Sequence, residues 1–215
     1  MDSILREAER LAHNGDPEQQ ERYYRLRLRQ GSIRRDHIHL AALMGDEAAA
    51  RIIDYRGPLF KIELIVTRYW SHWGFDGAVR TEWKKAIRSI GKGPCVRVCL
   101  ATLQYVTLLE NDIKTELAEH LGKRDKDKNY KPRYQHNILR DVRWAEFWGA
   151  RPQVRDSIDL INLYKGLMGW GDTFWKDTLC VLEMLCKYSP CRDYSVRFPA
   201  IEAAAKNACL DWIKE

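Results

Sequence analysis

No stretch of the 215-residue chain approaches the roughly 18 uninterrupted apolar residues that a membrane-spanning helix requires. The opening residues, MDSILREAER, place acids and bases where a secretory leader carries its apolar core, so a cytoplasmic protein is expected. Short motifs that announce chemistry are also missing. There is no G-x-S-x-G, no H-E-x-x-H and no glycine-rich phosphate loop after a strand. An enzyme would need a site assembled from residues far apart in the chain, and the reading leans away from one. The six cysteines lack paired zinc-finger spacing, and a chain of this length builds a core without disulfide staples, so reduced thiols are expected.

What is present is ordinary globular composition: 45% hydrophobic and 31% charged residues exclude a disordered chain. The formal charge of +6 is a mild bias that suits an acidic partner or nucleic acid. Periodicity is helical almost throughout, and no clear period-two strand stands out. The expected fold is all-α, a single domain over residues 1–215. About eleven mostly short helices should pack as hairpins around a central buried helix at 94–121. That central stretch is apolar on nearly every side, with Val96, Cys99, Leu100 and Leu103 opposite Val98, Ala101 and Tyr105.

Boundaries follow from capping chemistry. A first helix is expected over 2–13, and Asp16-Pro17-Glu18 starts a second that Gly31 stops. Gly57-Pro58 opens a further helix with Leu59, Ile62, Val66, Tyr69, Trp70 and Trp73 on one face. Gly74 ends it, and Asp76 caps the next, whose stripe is Val79, Trp83, Ala86, Ile87 and Ile90. Helices are also expected around Ile138–Trp148, from Ser157 to Leu167, over Phe174–Lys187, and from Pro199 through Trp212. Between them, Lys123–Arg133 carries six basic and two acidic residues with no aliphatic side chain, and reads as an exposed mobile loop near 123–134 that could join two subdomains.

Residues 38–54, IHLAALMGDEAAARIID, resemble the helix-turn-helix core of an ankyrin repeat. His39, Leu40, Ala41, Ala42, Gly45 and Ile52-Ile53 occupy the corresponding positions. The resemblance covers 17 residues, with Arg35-Asp36-His37-Ile38 at the usual Thr-Pro-Leu-His entry and no second copy at the repeat period. It implies a tight helical hairpin and repeat-like stacking.

Several residues bear on function. His37 and His39 form an H-x-H pair, but on a helix their side chains point about 200° apart and cannot share one ion. Cys95 and Cys99 suit a buried helix face as well as they suit a metal, and Cys186 and Cys191 straddle a helix end. No metal or cofactor is expected. His72 and Asp76 read as a helix-end histidine and a helix cap rather than as a proton-transfer pair. Most of the eight tryptophans sit on apolar faces, whereas Trp170 lies between two glycines and is the aromatic expected at the surface.

Basic residues supply the expected contact surfaces. Lys123, Arg124, Lys126, Lys128, Lys131 and Arg133 interleave with Tyr130 and Tyr134, and His136, Arg140 and Arg143 follow. Such a segment could neutralise phosphates and stack on bases. Arg22, Arg25 and Arg29 share a second face, within a run from Arg22 to Arg35 that has six arginines and no acid. Residues 1–57 nonetheless balance at ten basic and ten acidic, so a solvated face with local ion pairs is the simpler account. The function expected is binding of another macromolecule, a protein first. A nucleic-acid binder using the 123–143 segment is the alternative, and an enzyme with a non-local site comes third.

Overall fold

The computed structural model describes residues 6–8, 10, 16–66, 68, 71–102, 105, 115, 118–119, 122–123, 126, 178–179, 182–183 and 194–215. This part is mostly helical. Its elements are α1 (Pro17–Arg29), α2 (Arg35–Leu43), α3 (Glu47–Ile53), β1 (Glu63–Val66), β2 (Ser71–Gly74), α4 (Gly77–Ile90), α5 (Gly93–Thr102) and α6 (Tyr194–Lys214). The helices expected around Ile138–Trp148 and from Ser157 to Leu167 lie outside the described residues. Residues 6–8 and 10 of the first expected helix are helical, and so are Thr178, Leu179, Leu182 and Glu183 of the one expected over Phe174–Lys187.

Capping residues set the starts where the sequence places them. Asp16 accepts the Glu18 N–H at 3.0 Å with proline next in line, Asp46 accepts the Ala49 N–H at 2.9 Å, and Asp76 accepts the Ala78 N–H at 2.7 Å. Gly45, at φ +93°, makes the sharp reversal between α2 and α3, so residues 38–54 do form a tight helical hairpin.

The core is centred on α2, which packs against α3, α4 and α6. Ile38 and Leu40 through Leu43 are fully buried. Ala41, Ala42, Ala48 and Ala49 are buried at the hairpin, where small side chains let two helix backbones approach closely. α5 is enclosed on nearly every side, as its sequence predicts, with Cys95, Val96, Val98 and Cys99 buried against α6. α6 answers with an i, i+4 ladder of Ile201, Ala205, Cys209 and Ile213. Beyond Thr102 the helix expected over 94–121 is described only at isolated residues. Tyr105 sits in a 3₁₀ turn, and Thr115, Ala118 and Glu119 are helical again.

Three expectations need correction. The chain is not all-α: the helix expected from Pro58 to Trp73 is replaced by an antiparallel hairpin, with Glu63 opposite Gly74, Leu64 opposite Trp73, Ile65 opposite His72 and Val66 opposite Ser71. The segment is rich in β-branched and aromatic residues, which favour a pleated, half-buried surface; its apolar spacing happened to satisfy a helix as well. His72 therefore lies in a strand, not at a helix end. The last helix begins at Tyr194 rather than at Pro199, so the proline lies inside it, where it forfeits the bond to the Ser195 carbonyl and crowds that oxygen. Of the basic loop expected near 123–134, only Lys123 and Lys126 are described, both helical; its other residues lie outside the described ones.

Distant ends of the chain are tied by Arg27. Its guanidinium Nη1 is buried and donates to the carbonyl oxygens of Ile213 at 2.7 Å and Lys214 at 2.8 Å, while the Tyr23 hydroxyl reaches Lys214 O at 3.4 Å. These carbonyls end α6, where a cation meets both unsatisfied acceptors and the negative end of the helix dipole. Arg27→Met keeps the apolar stem and removes the charge. It is expected to lower the unfolding free energy by about 2–3 kcal/mol in chemical denaturation. A loss below about 0.5 kcal/mol would show that water satisfies these carbonyls equally well.

Candidate interaction site

The hairpin is held at both roots, and the residues that hold it come from far along the chain. Before β1, the Ile62 N–H donates to Glu202 Oε2 of α6 at 2.9 Å, and the other oxygen of that carboxylate accepts from Lys206 Nζ at 2.7 Å. After β2, the Phe75 N–H donates to Glu183 Oε1 at 3.1 Å. Arg80 of α4 bridges the same Glu183 carboxylate and the Phe75 carbonyl. Each root thus presents an N–H that no strand neighbour takes, and a cation-supported carboxylate accepts it. Beneath the roots, Phe60 packs on Phe75 at 4.8 Å and on Trp83 at 5.6 Å between ring centroids. The Phe60 N–H also donates to Leu43 O at 2.8 Å, which joins the hairpin entry to the end of α2.

Beyond that anchored base the hairpin carries apolar side chains into solvent. On β1 Val66 is 73% exposed and Leu64 50%, whereas Ile62 at the root is buried; Leu59, which precedes the root, is 55% exposed. Leu64 and Val66 are two residues apart and point to the same side of β1. An isolated two-stranded hairpin is marginal in water, so its stability depends on the root contacts. Exposed apolar residues on a firmly held strand are a liability unless something covers them, and such surfaces commonly serve as contacts.

A second cluster lies where α2, α3 and α4 meet. His39 Nε2 is closed off from solvent and lies 2.6 Å from Glu82 Oε2, with Lys85 Nζ 3.9 Å from the same oxygen. Tyr55 meets the imidazole edge-on at 5.3 Å, and its hydroxyl donates to Pro58 O at 2.8 Å. Burial, with the Glu82 carboxylate nearby, pushes that hydroxyl up to about 12. His37 turns instead to α6, where its ring stacks on Trp212. The two histidines of the H-x-H pair therefore face different helices. Among the described residues no three His, Cys, Asp or Glu side chains converge as a metal-binding group. Cys95, Cys99 and Cys209 are buried thiols, and burial pushes the Cys209 thiol above its ordinary range, which disfavours its thiolate.

The basic residues are brought together only in part. Arg22, Arg25 and Arg29 are exposed on α1, and Arg25 is engaged by Glu21 through Nε and Nη2 at 3.0 and 2.7 Å. Lys123 and Lys126 are both exposed. Arg124, Lys128, Tyr130, Lys131, Arg133 and Tyr134 lie outside the described residues, as do His136, Arg140, Arg143 and Trp170. Asp76 is a helix cap, as expected. Sequence reasoning placed Leu59 and Val66 on the apolar face of a helix and did not single out Leu64, whereas all three are exposed. It also missed Glu183 and Glu202, whose backbone partners lie 108 and 140 positions away.

Among the described residues no helix is long and apolar enough to cross a membrane. Glu202→Ala is expected to speed amide exchange across residues 62–66 by about tenfold, while amides at 40–43 stay protected. Equal exchange in the variant and the parent would mean that the carboxylate does not hold the root. No family model matches the chain, and no curated protein or solved structure does.

Proposed function

We propose that this chain is a cytosolic, non-catalytic module that binds another protein through its anchored β-hairpin. The observation that carries this reading is the exposure of Leu64 and Val66 on a strand whose roots are fixed to α2, α4 and α6. Apolar side chains on a preorganised element lose little conformational entropy when they are covered, so a small surface can contribute usefully to affinity. The helical hairpin of α2 and α3 supplies the rigid base in this reading.

The exposed Arg22, Arg25 and Arg29 favour nucleic acid as a second reading. The two differ in salt dependence, because phosphate contacts release counterions and apolar contacts do not.

The test compares the parent chain with a Leu64→Asp, Val66→Asp double variant in affinity capture. Labelled single- and double-stranded DNA and RNA are titrated in parallel at two salt concentrations. The double variant is expected to keep its unfolding free energy within about 1 kcal/mol, since both side chains are exposed, and to lose its protein partners. Partners that remain bound to the double variant would remove the hairpin from the interface. Tight, salt-steep nucleic-acid binding, weakened when Arg22, Arg25 and Arg29 are neutralised, would replace the protein reading altogether.

A further inference from the structure

The N-terminal turn of α2 and the C-terminal turn of α6 meet through two flat rings. His37 and Trp212 lie almost parallel, with 3° between planes and 5.4 Å between centroids. Their closeness is enforced from α5. A Cβ added at Gly93 would fall 2.6 Å from the Trp212 Nε1, so the indole rests against a bare glycine backbone.

The protonation state of His37 is written into its hydrogen bonding. The Arg34 N–H donates to His37 Nδ1 at 3.2 Å, so Nδ1 is an acceptor and the neutral ring carries its proton on Nε2. This contact takes up an N–H at the start of α2 that no helix carbonyl can satisfy. Adding a proton to Nδ1 would turn two donors against each other. It would also place a cation beside the positive end of the helix dipole.

Surrounding charges do not offset that cost. Arg34 and Asp36 act from the same turn and Arg27 from α1, two cations against one carboxylate. The Asp36 carboxylate is already engaged by the Ser89 hydroxyl of α4, and Arg34 Nη2 donates to the Ser89 carbonyl at 2.8 Å. On α5, Arg97 is paired with Glu215 at 2.6 Å. An imidazolium on an indole gains some cation–π attraction, but that gain comes with the loss of the acceptor and the approach of Arg27 and Arg34. Burial and Arg34 accordingly hold the His37 ring below the ordinary histidine range.

We infer that the His37–Trp212 stack is an acid-released latch: protonation of His37 frees the last turn of α6 while the helical core stays folded. The turn is suited to local release, because its carbonyl ends hang on Arg27, the same cation that a protonated His37 would repel. The sign follows from linkage. A folded-state proton affinity below the unfolded value means that the unfolded or opened chain takes up the proton first. The latch is therefore intact above about pH 6.5 and weakens as pH falls through that value to the folded one.

Amide exchange in the full chain tests this at about pH 7.5 and 5.5, corrected for intrinsic rates, in the parent and in His37→Asn. The asparagine carboxamide keeps an acceptor near the Nδ1 position and cannot be protonated. In the parent, exchange at residues 210–214 is expected to rise by about fivefold or more on acidification, with residues 40–43 unchanged. In His37→Asn the rise should fall below about twofold. Equal rises in both proteins would overturn the latch, and so would a rise spread evenly over α2 and α6. An NMR titration of the parent decides independently of whether the variant folds. A His37 ring protonated on Nδ1 at about pH 7.5, or one that titrates with no change at Trp212, also overturns it.

Discussion

The described helices are organised around one demand, that the second half of α2 be walled off from water. With Leu40 through Leu43 fully buried, four successive residues of that half leave no direction free for solvent, while Arg35 at its start stays exposed. α3 covers one side, α4 another and α6 a third. The small residues at the α2–α3 turn make that enclosure possible, because Ala41, Ala42, Ala48 and Ala49 let the backbones close in where larger side chains would hold them apart. Polar groups at the margins are then obliged to find partners inside the protein. Tyr24, for example, donates to Asp46 at 3.0 Å, and Gln20 joins the same carboxylate.

The hairpin is the counterpart of this enclosure. It leaves the helical body where Leu43 ends α2 and is fixed where Glu183 and Glu202 take its unpaired N–H groups. A two-stranded sheet of this size has little stability of its own. Its shape is therefore set by the helices, while its apolar residues remain outside their core. Scaffold and exposed apolar surface are separated within one continuous fold, which permits that surface to change without disturbing the packing beneath it.

Local chemistry made most of the helices legible. Asp16, Asp46 and Asp76 mark starts, and Gly31, Gly45 and Gly91 mark stops, through effects confined to a few neighbouring residues. The segment from Pro58 to Trp73 was illegible for the opposite reason. Leu59, Ile62 and Val66 fall at helical spacing, yet Ile62 is buried and the other two are exposed, so the pattern did not record one face. The N–H groups at the hairpin roots are taken by Glu183 and Glu202, which no window around residue 65 can include. The candidate site was missed with it. The divergence of His37 and His39 was legible because helix geometry alone fixes it, whereas their partners Trp212 and Glu82 depend on tertiary packing.

The tie between Arg27 and the end of α6 also constrains how the fold is reached. Its acceptors lie 186 and 187 positions along the chain from the guanidinium. During synthesis α1, α2 and α3 can form local contacts early, since they adjoin in sequence, but the charge on Arg27 waits in water until residues 213 and 214 have been made. A closure with so long a loop is slow relative to hairpin formation. Loop-closure entropy therefore favours forming the α1–α3 contacts before α6 docks, and until α6 docks the faces of α2 and α5 that it covers lack their partner.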